Sequence, residues 1–295
     1  MIDLQGVDPK ADRTRRNLAK MGALLASAAI ASLASMNCRL ATAKGNGNGN
    51  GNNGNGNGNG NNGNGNGNGN GNNGHGNGNQ CLLLGTTVAT ANGDRKVEDL
   101  AIGDYLRTMF GGMRPIQWIG RFPMDRPDPS RPWPKDMRPV RIARSAFGPN
   151  IPRRDLYVSA GHGLFVDGVL APAASLINGV TITLCDAREY ETLEYFHVKL
   201  ESHDVIYAEG APVETLHTAS KGAVNFDEYL RLYGPPEGEA IRCAPFVCYD
   251  GGRAELRSRA RSALSPWVDR RQRLDVIRDR LEERGLALSR HLTAP

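Results

Sequence analysis

The chain has 295 residues, 39% hydrophobic and 23% charged, with a formal net charge of +5, and 36 glycines. Sixteen of those glycines lie with 18 asparagines and one histidine in residues 45–79; without that tract the composition is ordinary for a packed domain, which excludes a wholly disordered chain, a collagen and a disulfide-dense miniprotein. The charge also divides: residues 1–44 hold seven basic and three acidic side chains, and eleven arginines face six acids from Arg253 onward. The middle is therefore net negative, which argues against a nucleic-acid-binding face.

At the start, Thr14-Arg15-Arg16-Asn17-Leu18-Ala19-Lys20 precedes an apolar run at 21–36, and Ala41-Thr42-Ala43 fits a small-residue cleavage site. The run is shorter than the roughly 20 residues a spanning helix needs. Arg15 and Arg16, with Leu18 and Lys20, resemble a bacterial twin-arginine signal. That resemblance implies a signal at 1–43, passage through the export machinery, and a periplasmic or extracellular location. Residues 44–80 then read as a linker. Every side chain at 45–79 is polar or absent, so nothing offsets the entropy of ordering, and the tract is expected to stay unstructured. As a flexible chain it would span roughly 30–35 Å.

From Cys81 the texture changes. Short strands are predicted at 86–91, 96–98, 105–109, 114–119, 139–143, 155–159, 164–166, 169–171, 180–184, 195–200 and 205–208. Turns fall at Asn92-Gly93, Gly103-Asp104, Gly111-Gly112, Asp167-Gly168 and Asn178-Gly179. Many short strands at this spacing make an all-β domain over 81–218. Six prolines between Pro123 and Pro139 mark a loop, an insertion over one face.

Several ordered motifs in this stretch carry a resemblance. Cys81-Leu82-Leu83-Leu84-Gly85-Thr86, Val97-Glu98-Asp99-Leu100, Gly103-Asp104 and Trp118-Ile119-Gly120-Arg121 come first. Arg154 through His162, ending Ser159-Ala160-Gly161-His162, then His203-Asp204 and Ala208-Glu209-Gly210, follow in order. Together they resemble a Hint domain, the self-processing module of hedgehog proteins and inteins, and most resemble a bacterial stand-alone branch. The resemblance implies a compact β fold of the hedgehog/intein type and a first-position cysteine that attacks the carbonyl before it.

Here that nucleophile would be Cys81 and the scissile bond Gln80–Cys81, the amide becoming a thioester. Ser159 and His162 occupy the family's T-x-x-H positions, with Ser replacing Thr, and His162 would donate to the departing nitrogen. His203 would polarise the intermediate or position water. Asp204 would orient His203 or serve as a base. His197 stands near where inteins commonly carry an aspartate, and shares a strand face with Tyr195 and Lys199. Leu216-His217-Thr218 has Thr where splicing inteins have Asn, so N-terminal cleavage or transfer without splicing is expected. Water, a thiol, an amine or a hydroxyl would accept the acyl group.

Such a protein acts once on itself, as a single-turnover catalyst and its own substrate. The alternative is a non-catalytic exported scaffold on a flexible tether; a cysteine hydrolase acting on other proteins is a third reading. No cofactor is expected. No metal is expected either, since C-x-x-C and H-x-x-x-H spacings are missing. A Cys243–Cys248 disulfide is one of several pairings that an oxidising compartment permits. Over 219–295 the extension is partly helical. Residues 266–288 are predicted as an amphipathic helix with a stripe of Trp267, Leu274, Ile277, Leu281 and Leu288, and with Gly285 as its stop. Its expected role is docking on the β domain, the alternative being an Arg-rich face against anionic lipid.

Overall fold

The computed structural model describes residues 80–219, 222–235, 241–249 and 252–293. The signal-like segment with Arg15 and Arg16, and the Gly/Asn tract at 45–79, lie outside the described residues. Among those described, no helix is long and apolar enough to cross a membrane.

Thirteen strands form one antiparallel system. They are β1 (Leu82–Leu83), β2 (Thr87–Thr90), β3 (Gly93–Lys96), β4 (Tyr105–Arg107), β5 (Met113–Asp125), β6 (Val140–Ile142) and β7 (Leu156–Val158). Then come β8 (Gly163–Val166), β9 (Val169–Pro172), β10 (Ile182–Leu184), β11 (Thr192–Leu200), β12 (Val205–Ala208) and β13 (Ala211–Glu214). The order is β10-β6-β7-β1-β11-β5-β4-β2-β12-β13-β8-β9, with β3 paired to β2. The long strand β5 joins the two halves: Met113 to Pro115 pair with β4, and Ile116 to Asp125 with β11. Its alternating burial, with Ile116 and Trp118 inside, is the period-two pattern of a half-buried strand.

Hairpins set much of this local order. Asp167-Gly168 and Glu209-Gly210 both adopt left-handed backbone between paired strands, the geometry that twists with the sheet. The first hairpin turns at Ala91-Asn92 rather than Asn92-Gly93, because Gly93 already pairs with Thr90. Strands β1 and β13 have no counterpart in the sequence reading. Two residues are too few to show periodicity, and β13 follows its partner by a two-residue turn.

The proline-rich stretch also differs from a simple covering loop. Strand β5 runs on through Pro123 to Asp125. The loop after it buries Trp133, whose Nε1 donates to the Tyr190 carbonyl at 2.8 Å. Trp133 packs in a cluster with Cys81, Leu83, Leu193 and Tyr195, so the insertion walls off the start of the domain.

Three helices follow the sheet: α1 (Phe226–Tyr233), α2 (Gly252–Leu264) and α3 (Arg273–Thr293). Leu274, Ile277 and Leu281 of the predicted stripe are buried in the main core. Trp267 is 68% exposed, because it lies in the turn between α2 and α3. Gly285 does not stop the helix. A Cβ there would lie 3.1 Å from Thr181 Oγ1 and 3.3 Å from Val180 Cβ, so this glycine lets α3 approach the sheet. Gly285→Leu is therefore expected to destabilise the fold by about 1–3 kcal/mol through overpacking, read as a lowered urea midpoint.

The charges of α3 also serve tertiary contacts. Arg280 pairs with Asp167 at 2.7 Å, Arg261 of α2 with the buried Asp275 at 2.7 Å, and Arg284 donates to the Ser145 carbonyl. These three arginines are engaged by the protein's own groups.

Candidate active site

Strand register assembles the site. On β1, Leu82 pairs with Phe196 of β11 on one side and with Val158 of β7 on the other. Continuing both registers back by one residue places Cys81 between His197 and Ser159. The contacts agree: Cys81 Sγ lies 2.5 Å from His197 Nε2. On the other side, the Cys81 amide donates to Ser159 Oγ at 3.0 Å, and the Ser159 amide donates to the Cys81 carbonyl at 3.0 Å. Cys81 is 5% exposed and His197 fully buried, with the imidazole against the Phe122 ring at 4.3 Å. Burial pushes the Cys81 thiol far above the usual range, opposed by a hydrogen bond from Ser159. The resting sulfur is therefore a thiol with a base in contact.

His162 ends a tight turn closed by its amide on the Ser159 carbonyl at 3.1 Å. The ring is fully buried beside the Cys81 backbone, yet neither nitrogen completes a hydrogen bond of ordinary geometry. Burial holds its pKa below the usual imidazole value; the Glu214 carboxylate and the backbones of Cys81 and Glu214 oppose that shift. In the resting fold the Cys81 nitrogen is thus held by Ser159. The reason is chemical: a planar amide nitrogen offers a proton and no lone pair, so it engages an acceptor, not a donor.

His203 belongs to a second cluster. Its Nδ1 accepts the Cys243 amide at 3.1 Å, which leaves the ring proton on Nε2, directed at Glu214 Oε2 at 3.2 Å. Glu214 is 1% exposed and its other oxygen accepts the Gly163 amide at 2.7 Å. A Cβ on Gly163 would lie 2.4 Å from that oxygen, so the position next to His162 has no room for a side chain. Arg242 reaches the same carboxylate at 3.5 Å.

Asp204 does not orient His203. Its carboxylate accepts the amides of Val205 and Phe110 at 2.7 and 3.1 Å and faces Arg114 at 3.5 Å, pinning the turn between β4 and β5. Glu214 takes the expected place of Asp204 because β13 brings it across from Gly163, whereas Asp204, also buried, is turned toward Phe110 and Arg114.

His217 was also missed as a site residue. Its amide donates to Gln80 Oε1 at 3.0 Å and its ring meets that of His203 edge-on at 5.2 Å. Their sequence signal is thin: a lone carboxylate in an apolar run for Glu214, and the Leu216-His217-Thr218 motif for His217. Cys243 is a free thiol, so the Cys243–Cys248 bridge is not formed. Among the described residues, no group of three or more His, Cys, Asp or Glu is placed to hold a metal ion.

An antiparallel β domain that opens on a cysteine, with one histidine on its sulfur and a second beside its backbone, has the plan of a self-processing domain. Residues 80–220 match the family model described as Hint domain, and this part of the chain is a Hint domain. No curated protein matches the chain. Solved structures that match include the MchDnaB-1 intein, at 18% identity and a TM-score of 0.31, over 45% of this chain and 98% of that one. The gp41-1 intein matches at 14% identity and a TM-score of 0.33, over 45% and 96%. A bacterial intein-like domain from Clostridium thermocellum matches at 11% identity and a TM-score of 0.33, over 46% and 98%.

Proposed function

We propose that this chain cleaves or transfers its own N-terminal segment at the Gln80–Cys81 bond, through an N–S acyl shift. The observation that carries the reading is the double engagement of Cys81, with its sulfur on His197 and its amide on Ser159.

In this reading His197 takes the thiol proton and Sγ attacks the Gln80 carbonyl carbon. The carbonyl π electrons move to oxygen. On collapse the C–N bond breaks, its electron pair stays on the Cys81 nitrogen, and that nitrogen gains one proton. Sulfur gives one proton to His197 and nitrogen takes one from protonated His162, so the shift is an isomerisation with no net proton uptake that leaves the proton on His197. His162 is suited to the second transfer: it stands by the Cys81 backbone, and burial favours release of a proton from its charged form. As the nitrogen pyramidalises it exposes a lone pair, which the neighbouring imidazolium can protonate.

Ser159 orients the amide throughout. The thioester then passes to water, a thiol, an amine or a hydroxyl. Thr218 lacks the carboxamide needed to cyclise, so splicing is not part of the proposal. Arg15-Arg16 and the motif around them support export before or during this step, with the Gly/Asn tract in the departing segment.

Intact mass of the purified full chain tests the reading, with and without hydroxylamine or excess thiol. The expected products are a fragment beginning at Cys81 and an N-terminal segment ending at Gln80. Both disappear in Cys81→Ala. A chain that stays unbroken under every condition would favour the exported scaffold instead.

A further inference from the structure

Two of the contacts that define the His203 cluster come from beyond the matched Hint domain. Residues 241–249 follow the family match, which ends at residue 220, and are stapled to β9. The Leu170 amide donates to the Pro245 carbonyl at 2.9 Å, the Val247 amide donates to the Leu170 carbonyl at 2.8 Å, and Leu170 bridges Phe246 in parallel. Ala244 is buried with Leu170 and Val205, while Cys243 and Phe246 pack against them. The Arg242 guanidinium stacks over Phe246 at 4.7 Å, which aims it at Glu214.

This strap places a backbone N–H, the one donor that cannot change its role, on His203 Nδ1. An imidazole with Nδ1 accepting must carry its neutral-state proton on Nε2, and that proton meets the buried Glu214 carboxylate. Glu214 in turn holds the Gly163 amide, adjacent to His162. A chain of contacts therefore runs from the strap through His203 and Glu214 to the His162 turn.

We propose that residues 242–247 are a working part of the processing site: the strap fixes the tautomer of His203 and, with Arg242, holds the Glu214–His203 pair in place. Cys243 and Arg242 act as positioning residues, through His203 and Glu214, and touch neither scissile atom. The extension thus makes self-processing depend on residues that follow the Hint domain in the chain. The inference rests on the self-processing reading for its effect on rate, but the tautomer stands apart from that reading.

Two measurements test it on the full chain. In the Cys81→Ala chain, 15N chemical shifts of the His203 ring are expected to show a bare Nδ1 and a protonated Nε2. Cys243→Pro in the same background removes the N–H and should shift that pattern toward a mixture. In the chain with Cys81 intact, Cys243→Pro is expected to slow cleavage roughly tenfold, a modest part of the weight of acid–base assistance. Cys243→Ala loses the thiol, keeps the N–H and should recover most of that rate. Circular dichroism and the urea midpoint separate misfolding from the specific effect, and Arg242→Met offers a second variant that leaves the backbone donor in place and is expected to slow cleavage severalfold.

A proton on Nδ1 of His203 in the Cys81→Ala chain would overturn the inference. So would a folded Cys243→Pro chain that keeps the parent tautomer or cleaves at the parent rate. If the parent chain does not cleave at all, the acyl-shift reading fails, and the tautomer comparison alone still decides whether the strap sets His203.

Discussion

Replacing His162 with Leu is expected to lower the rate of cleavage at Gln80–Cys81 by about 10²–10⁴-fold, the usual weight of acid–base assistance. Stability should move in a different way. The imidazole is fully buried and neither nitrogen completes a hydrogen bond of ordinary geometry, so the folded state already bears much of the desolvation of both polar atoms. Leu is of similar volume and asks for no partner. In the Cys81→Ala background, the urea midpoint of His162→Leu should therefore match or exceed that of its parent. A group that costs stability in place while carrying the rate is the pattern of a functional site. Loss of stability by several kcal/mol with cleavage unchanged would assign His162 to packing.

The same residue predicts a pH dependence. Burial depresses the His162 pKa in the folded state, whereas the unfolded chain titrates near about 6.5. As pH falls the unfolded chain binds the proton first, so the stability present above about 6.5 is lost progressively below it. Denaturation midpoints measured between pH 7 and pH 5 should decline more in the parent than in His162→Leu.

Glu214→Ala is expected to destabilise the fold by about 3–5 kcal/mol, because it strands several charged or polar groups at once. The Gly163 amide loses its acceptor, and His203 loses the carboxylate facing its Nε2. Arg242 loses its counter-charge, while the side-chain position of Glu214 has no solvent access. Glu214→Gln keeps an acceptor of the same shape and should recover most of that loss in a urea titration. It cannot restore the negative charge that favours the protonated form of His162, so its cleavage rate should remain below the parent's. An Ala variant within about 1 kcal/mol of the parent would mean that water or Arg242 relaxes into the gap.

Much of the β order was legible because strand signals are local. Turn residues such as Asp167-Gly168, and apolar alternation along 114–119, depend only on neighbouring residues. The predicted helix over 266–288 was legible in part. Leu274, Ile277 and Leu281 do face the core, whereas Trp267 precedes the helix and Gly285 lies inside it. Asp275 engages Arg261 and Ser258 of α2, partners that the spacing within α3 does not show, because they come from the packing of the two helices.

The site divides along the same line. Cys81, Ser159 and His162 were nameable from motifs that keep a fixed local spacing, and His197 only as a residue of open role. Its contact with Cys81 comes from the pairing of β1 with β11, across 116 residues of chain. Glu214 was invisible for the same reason. A carboxylate in β13 reads as a surface charge until the β13–β8 pairing sets it beside Gly163.

By itself, then, the sequence determined the partition that its uneven glycine and charge first indicated: a basic start, a Gly/Asn tract, a β-rich middle opening on Cys81, and an arginine-rich tail. Composition and short-range periodicity suffice for that. Only the tertiary structure decided which histidine meets the sulfur, which carboxylate faces His203, and that the tail reaches the site through Cys243. Those are contacts between residues far apart in the chain. They follow from strand register and the docking of the extension, which depend on how the whole core packs.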